Sequence, residues 1–204
     1  IDIGKPLPLQ EPYELDTLDL SNMHMDPGHV LLLSWWLGTE FSAAVARLIL
    51  DENPLTGGQW GGDSDKDLSG VVALYDTLKT SSVTELSLAK CRLGPGSLGK
   101  LAEYVREAEA ALTSINCLMN PIGEGVHTII KVFEETPRLR TLCGLEEGIE
   151  KIEWSDSGKG PVEVALLAAD LKASRAAAAL NSVTLDSTGF PKKTSGYRSD
   201  IEAS

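Results

Sequence analysis

The 204-residue chain predicts an α/β fold in which short parallel strands alternate with helices. Three observations lead there. An eleven-residue apolar pattern recurs six times, each interval between copies holds a segment of helical period, and the spacing leaves room for one strand and one helix per copy.

The copies are LDTLDLSNMHM from Leu15, VARLILDENPL from Val45, VTELSLAKCRL from Val83, LTSINCLMNPI from Leu112, IEKIEWSDSGK from Ile149 and LNSVTLDSTGF from Leu180. Positions one, four and six are apolar in all six: Leu15, Leu18, Leu20; Val45, Leu48, Leu50; Val83, Leu86, Leu88; Leu112, Ile115, Cys117; Ile149, Ile152, Trp154; Leu180, Val183, Leu185. At 42% hydrophobic content, chance does not place residues that way. Positions four and six of a strand point to the same face, so these side chains are expected to stack from copy to copy into one apolar column. Each contributes roughly 1.5–3 kcal/mol when buried. Position nine reads Met23, Asn53, Cys91, Asn120, Ser157 and Thr188. A small polar group where the chain leaves the strand can satisfy backbone groups of adjacent copies, and Met23 departs from the pattern. Cys91 is thus expected to be a buried structural thiol with no base beside it to make it reactive.

Between the strands lie VLLLSWWLGTE, LSGVVALYDTLKTS, LGKLAEYVREAEAA, VHTIIKVFEETP and VEVALLAADLKASRAAAA, each with Leu, Val or Ile on one helical face. In the third, Leu98, Leu101, Tyr104 and Val105 face inward while Lys100, Glu103, Arg106 and Glu107 face water. Trp35 and Trp36 cannot both point inward from one helix. Packing within the fold is expected; the alternative places one of them in solvent, against a partner or against the extended N-terminal arm.

This pattern resembles the leucine-rich repeat family, whose signature LxxLxLxxNxL joins a short strand to an inward turn. Copies start at 15, 45, 83, 112, 149 and 180, giving spacings of 30, 38, 29, 37 and 31. A period near 29 with a full helix is similar to the ribonuclease-inhibitor-like subclass, also used by Ran GTPase-activating proteins and innate immune receptors. NPLTGG, CRLGPGSLGKLA and NPIGEGV look like the NxLGxxGxxxLA turn of that subclass. The resemblance covers residues 15–190. It implies a right-handed leucine-rich-repeat solenoid, or horseshoe, of about six repeats with a parallel concave sheet and convex helices. Residues 1–14 are expected to form an extended N-terminal arm and 191–204 a polar tail. For function it implies a protein-interaction module or scaffold, with GTPase regulation or a structural place in a larger assembly as the alternatives. No residue of a GTPase-activating site matches, so none is carried over.

Two spacings are long, and each has an insertion. GGQWGGDSDKD (57–67) lengthens the turn before a helix, and its glycines predict a mobile loop displaying Trp60. Asp63, Asp65 and Asp67 suggest calcium, but Leu68 and Leu74 stand where an EF-hand loop needs Gly and Glu, so a solvated acidic loop and helix start is expected. LRTLCGLEEG from Leu139 starts a copy that restarts ten residues later at Ile149. Either a truncated repeat contributes a strand by itself or a loop crosses one edge; likeness to recurrent units of ribonuclease-inhibitor-like arrays favours the former.

A net charge of -12 argues against nucleic acid and against anionic membrane surfaces. Three cysteines with no CxxC pair argue against a disulfide framework or a zinc site, and suggest a reducing, cytoplasmic setting. The longest apolar run, VLLLSWWLG, is too short to span a bilayer. Ile1 in place of an initiating Met leaves a removed leader or a longer parent open. The three histidines have no ligand at metal spacing, and neither a nucleophile elbow nor a phosphate loop is present. The expectation is a non-enzymatic chain without cofactor or metal, whose function lies on its surface.

On a strand, exposed positions alternate with buried ones, so positions five, seven and eight are expected to form the concave face. The candidates there are Ile49, Asp51, Glu52, Lys90, Asn116, Leu118, Met119, Glu153 and Asp156. Exposed Leu118 and Met119, with Ile49 nearby, would supply an apolar hot spot, and the carboxylates around them would steer a protein partner with a basic surface.

Overall fold

The computed structural model describes residues 3–58, 63–107, 111–155 and 158–185. It is a mixed α/β structure in which strands β1 (Thr17–Asp19), β2 (Arg47–Ile49), β3 (Glu85–Ser87) and β4 (Ser114–Asn116) form one open sheet in that order. Helices α1 (Pro27–Leu37), α2 (Ser69–Leu78) and α3 (Pro95–Arg106) lie between them, and α4 (Gly125–Glu135) follows. Then come β5 (Lys151–Trp154), α5 (Pro161–Ala173) and β6 (Ser182–Leu185), with β5 and β6 forming a second parallel pair.

Each strand of the first sheet is only positions three to five of its copy, and the pairing is parallel and in register. Thr17, Arg47, Glu85 and Ser114 align, as do Leu18, Leu48, Leu86 and Ile115. The hydrogen bonds repeat with the copies. The position-two carbonyls of Asp16, Ala46 and Thr84 each accept from two amides of the following copy. The position-six amides of Leu20, Leu50 and Leu88 donate to the position-five carbonyls of Ile49, Ser87 and Asn116. Position eight turns the chain off the strand: Asn22, Glu52, Lys90 and Met119 all take the left-handed conformation, with φ of 55°, 61°, 56° and 59°. That conformation aims the amides of Asn22, Glu52 and Lys90 at the carbonyls of Asp51, Ala89 and Leu118.

Position-four and position-six side chains of copies one to four are buried, with helix residues such as Leu33, Leu74, Leu101 and Ile129 completing the same core. At position nine, Asn53 accepts from Met25 N and donates to Leu20 O and Leu50 O, and Asn120 accepts from Cys91 N and Leu93 N while donating to Leu88 O and Cys117 O. Each asparagine thus ties its copy to the one before. Cys91 does the same with a thiol, donating to Leu50 O at 3.0 Å. Burial pushes this thiol well above its ordinary range, so it stays protonated.

Several expectations need correction. The column does not run through all six copies, since Val183 and Leu185 on β6 are exposed; outside the column, position one of the first copy, Leu15, is exposed as well. These lie at the two ends of the described strand series, where a neighbouring copy on the outer side is missing among the described residues. The partial copy at Leu139 does lie beside β4: Ile115 N and Cys117 N donate to Thr141 O and Leu142 O, and Gly144 N donates to Ile115 O. It makes only isolated bridges, at Thr141 and Cys143, and the first sheet ends there. Buried Asp170 of α5 holds this segment by accepting from Thr141 Oγ1, Leu142 N and Cys143 N. The last helix is shorter than its apolar pattern; it stops at Ala173, where Ser174 turns left-handed and Arg175 reaches back to the carbonyls of Phe133, Thr136 and Leu139.

The insertion is pinned at its described ends. Asp65 accepts from Gly94 N, Gly96 N and Ser97 N, supplying the carboxylate that caps α3, while Thr56 bonds to Arg92 O and Asp65 N. Trp60, Ser157, Thr188 and the polar tail lie outside the described residues. The tryptophan pair divides as the helical geometry requires: Trp36 is buried, donates to Pro8 O of the arm and meets Tyr13 edge-on at 6.0 Å, whereas Trp35 is exposed. Among the described residues no helix is long and apolar enough to cross a membrane.

Candidate functional site

Odd positions of the copies share the sheet face that looks away from the helices, because side chains alternate along a strand. Across β2, β3 and β4 they line a shallow groove of about 150 Å³. Position three supplies Arg47, Glu85 and Ser114, position five supplies Ile49, Ser87 and Asn116, and position seven supplies Asp51. Gly144 and Glu146, from the truncated copy, close one side.

A polar relay crosses the groove at right angles to the strands. Asn116 Nδ2 donates to Ser87 Oγ at 3.0 Å, and Ser87 Oγ donates to Asp51 Oδ1 at 2.6 Å. The amide of Ala89 donates to the same Asp51 oxygen at 2.8 Å. Burial holds the Asp51 carboxyl above its ordinary 3.8; the bonds from Ser87 and Ala89 oppose that, while Asp19 and Glu52 add to it by charge repulsion. Asp51 therefore uses one oxygen to order the groove and carries a charge that a cation would stabilise. Beside it, Arg47 Nε pairs with Glu85 at 2.6 Å. Gly144 is required here for two reasons: its φ is +65°, and a Cβ would lie 2.8 Å from Asn116 Cβ.

Of the residues expected on this face, the structure brings Ile49, Asp51 and Asn116 together. Glu52 and Lys90 pair with each other at 2.7 Å beyond the strand ends. Glu153 lies on the second sheet, bound to Lys151 at 2.9 Å and to Ser155. Asp156 lies outside the described residues.

Leu118 and Met119 correct the expected hot spot. Leu118 is 8% exposed and belongs to the core, and Met119 is half-buried against it. The chain entering α5 lies against this end of copy four: Met119 N donates to Glu163 Oε1 at 3.2 Å, and a Cβ at Gly158 would come within 4.0 Å of Met119 Cε. A charge introduced at 118 would be buried, so such a substitution tests the core and not a surface.

Position three was the omission. The strand alternation that picks out five and seven also picks out three, so Arg47, Glu85 and Ser114 were within reach of the pattern. Gly144 and Glu146 carry no comparable signal, since their place depends on how the truncated copy docks. No family model matches the chain, and no curated protein matches it significantly.

Proposed function

We propose that this chain is a protein-interaction module, a leucine-rich-repeat solenoid of the ribonuclease-inhibitor-like kind whose concave sheet binds a basic segment of a partner protein. The in-register stacking of four copies, joined by Asn53, Cys91 and Asn120, supports the solenoid. The groove carries the functional reading. It sets three carboxylates, Asp51, Glu85 and Glu146, around an apolar floor at Ile49, and only Arg47 among its lining residues brings a positive charge.

A lysine or arginine of the partner lays its aliphatic stem on that floor and its cation beside Asp51. The overall charge of -12 draws such a segment in from a distance. No chemical step is assigned to the groove. A display library of random peptides selected on the full chain tests this. Enriched sequences carry Lys or Arg, their binding weakens steeply with salt, and it falls at least ~10-fold on Asp51→Lys with Glu146→Lys. Selected peptides that are neutral, or that bind the double variant equally well, would refute it.

A further inference from the structure

The acidic groove calls for a basic segment, and the densest one in the sequence belongs to the chain itself. FPKKTSGYR (190–198) places Lys192, Lys193 and Arg198 within seven residues, a concentration of cations found nowhere else in the chain, and no acid stands between Ser187 and Ser199. In a chain of net charge -12 this is an island of opposite sign. Residues 186–204 lie outside the described residues, which end at Leu185 of β6.

The groove has two carboxylates to offer. Both donors to Asp51 share Oδ1, so Oδ2 is left open to a cation. Glu146 stands exposed at the opposite side and makes no ion pair among the described residues, whereas Glu85 is already held by Arg47. From β2 to the truncated copy is three strand widths, about 14 Å, and Lys193 and Arg198 are five residues apart, about 16 Å when extended. The two spacings match. The segment also reaches: Arg198 lies thirteen residues beyond Leu185, roughly 43 Å of extended chain, and a repeat array sets β6 about five strand widths, roughly 24 Å, from β2.

We propose that residues 190–198 occupy the groove of their own chain, and that a partner's basic segment must displace them. This rests on the reading of the groove given above and adds its regulation. Tethering holds the segment at an effective concentration on the order of 1 mM. A segment that binds from a separate molecule with a Kd on the order of 0.1 mM therefore keeps the groove mostly filled and weakens a competitor about 10-fold.

Fluorescent pentalysine, titrated by anisotropy into full-length chains at ~50 mM NaCl, tests this. The variant Lys192→Gln, Lys193→Gln, Arg198→Gln binds the probe about 10-fold more tightly than the unsubstituted chain. Lys100→Gln, Lys131→Gln and Lys172→Gln make the chain equally more acidic but lie on helices, and they leave the affinity within ~2-fold. Adding Asp51→Lys and Glu146→Lys to the tail variant removes the gain. An equal gain from both triple variants assigns the effect to net charge, and equal affinity of the unsubstituted chain and the tail variant leaves the groove open; either overturns the proposal while the groove reading stands. Failure of every chain to bind the probe removes both. A gain that grows as protein rises from ~10 µM to ~1 mM puts the tail in the groove of a second copy, which also overturns the proposal.

Discussion

Asn120 binds five backbone groups from two copies with one side chain. Its carboxamide accepts from Cys91 N and Leu93 N and donates to Leu88 O, Cys117 O and Leu118 O. Asn120→Ala removes all of these inside the core, and a loss of about 3 kcal/mol in urea denaturation is expected. Asn22→Ala, at an exposed turn position in left-handed backbone, is expected to cost less, about 1 kcal/mol, from backbone strain alone. Asp51 gives a prediction of opposite sign. Its folded pKa lies above 3.8, so the folded chain holds that proton more tightly than the unfolded one. The ionised carboxylate therefore destabilises the fold at neutral pH, and the cost is relieved as pH falls from the raised folded value toward 3.8. Both donors reach Oδ1, so Asp51→Asn keeps them. The variant is expected to be more stable near pH 7 by a few tenths of a kcal/mol, since solvent screens a half-buried group. That advantage vanishes in denaturation below about pH 3.8, and an advantage independent of pH would rule out this reading. Asn53, Cys91 and Asn120 were legible in the sequence because a repeat sets the same backbone demand at the same position. The burial of Leu118 was not, because it follows from where α5 begins, forty residues on.

The elements themselves follow from local pattern. Strands arise where positions four and six are apolar, and helices arise where apolar residues recur at three and four. Proline opens α1, α3 and α5, where its missing N–H costs no helical bond. What the pattern did not disclose is how one insertion supports another element. Asp65 belongs to the loop after copy two but caps α3, the helix after copy three. Nothing near Gly94 in sequence announces that, since the cap arrives from residues about thirty positions earlier. Asp65→Asn places an amide N–H against amides that need an acceptor, and a loss of about 1–2 kcal/mol is expected, with melting of the α3 N-terminus seen by hydrogen exchange at Ser97 and Leu98. Asp63→Asn in the same loop serves as the neutral comparison. Equal stability of the two variants would detach the insertion from the helix.

At the scale of the whole molecule, alternation and repeat translate into a division of labour. Aliphatic positions stack inside, asparagine and thiol groups join the copies, and position eight turns the chain at the cost of left-handed backbone in Glu52, Lys90 and Met119. That leaves the odd positions of the strands and the outer sides of the helices as working surfaces. The described array breaks where the truncated copy meets β4, and the break creates the wall of the groove through Gly144 and Glu146. The period near 29 anticipated the stacking; the interruption depends on a tertiary clamp, Asp170 on Thr141, Leu142 and Cys143, which a local pattern cannot reveal.

Native-state hydrogen exchange at the position-six amides tests most directly whether the copies form one structure. Leu20, Leu50, Leu88 and Cys117 each donate across a copy boundary. All four are expected to exchange only through global unfolding, with equal protection that falls together in Asn120→Ala. Exchange that differs widely among the four, or proceeds as fast as at the exposed residues of β6, would contradict it.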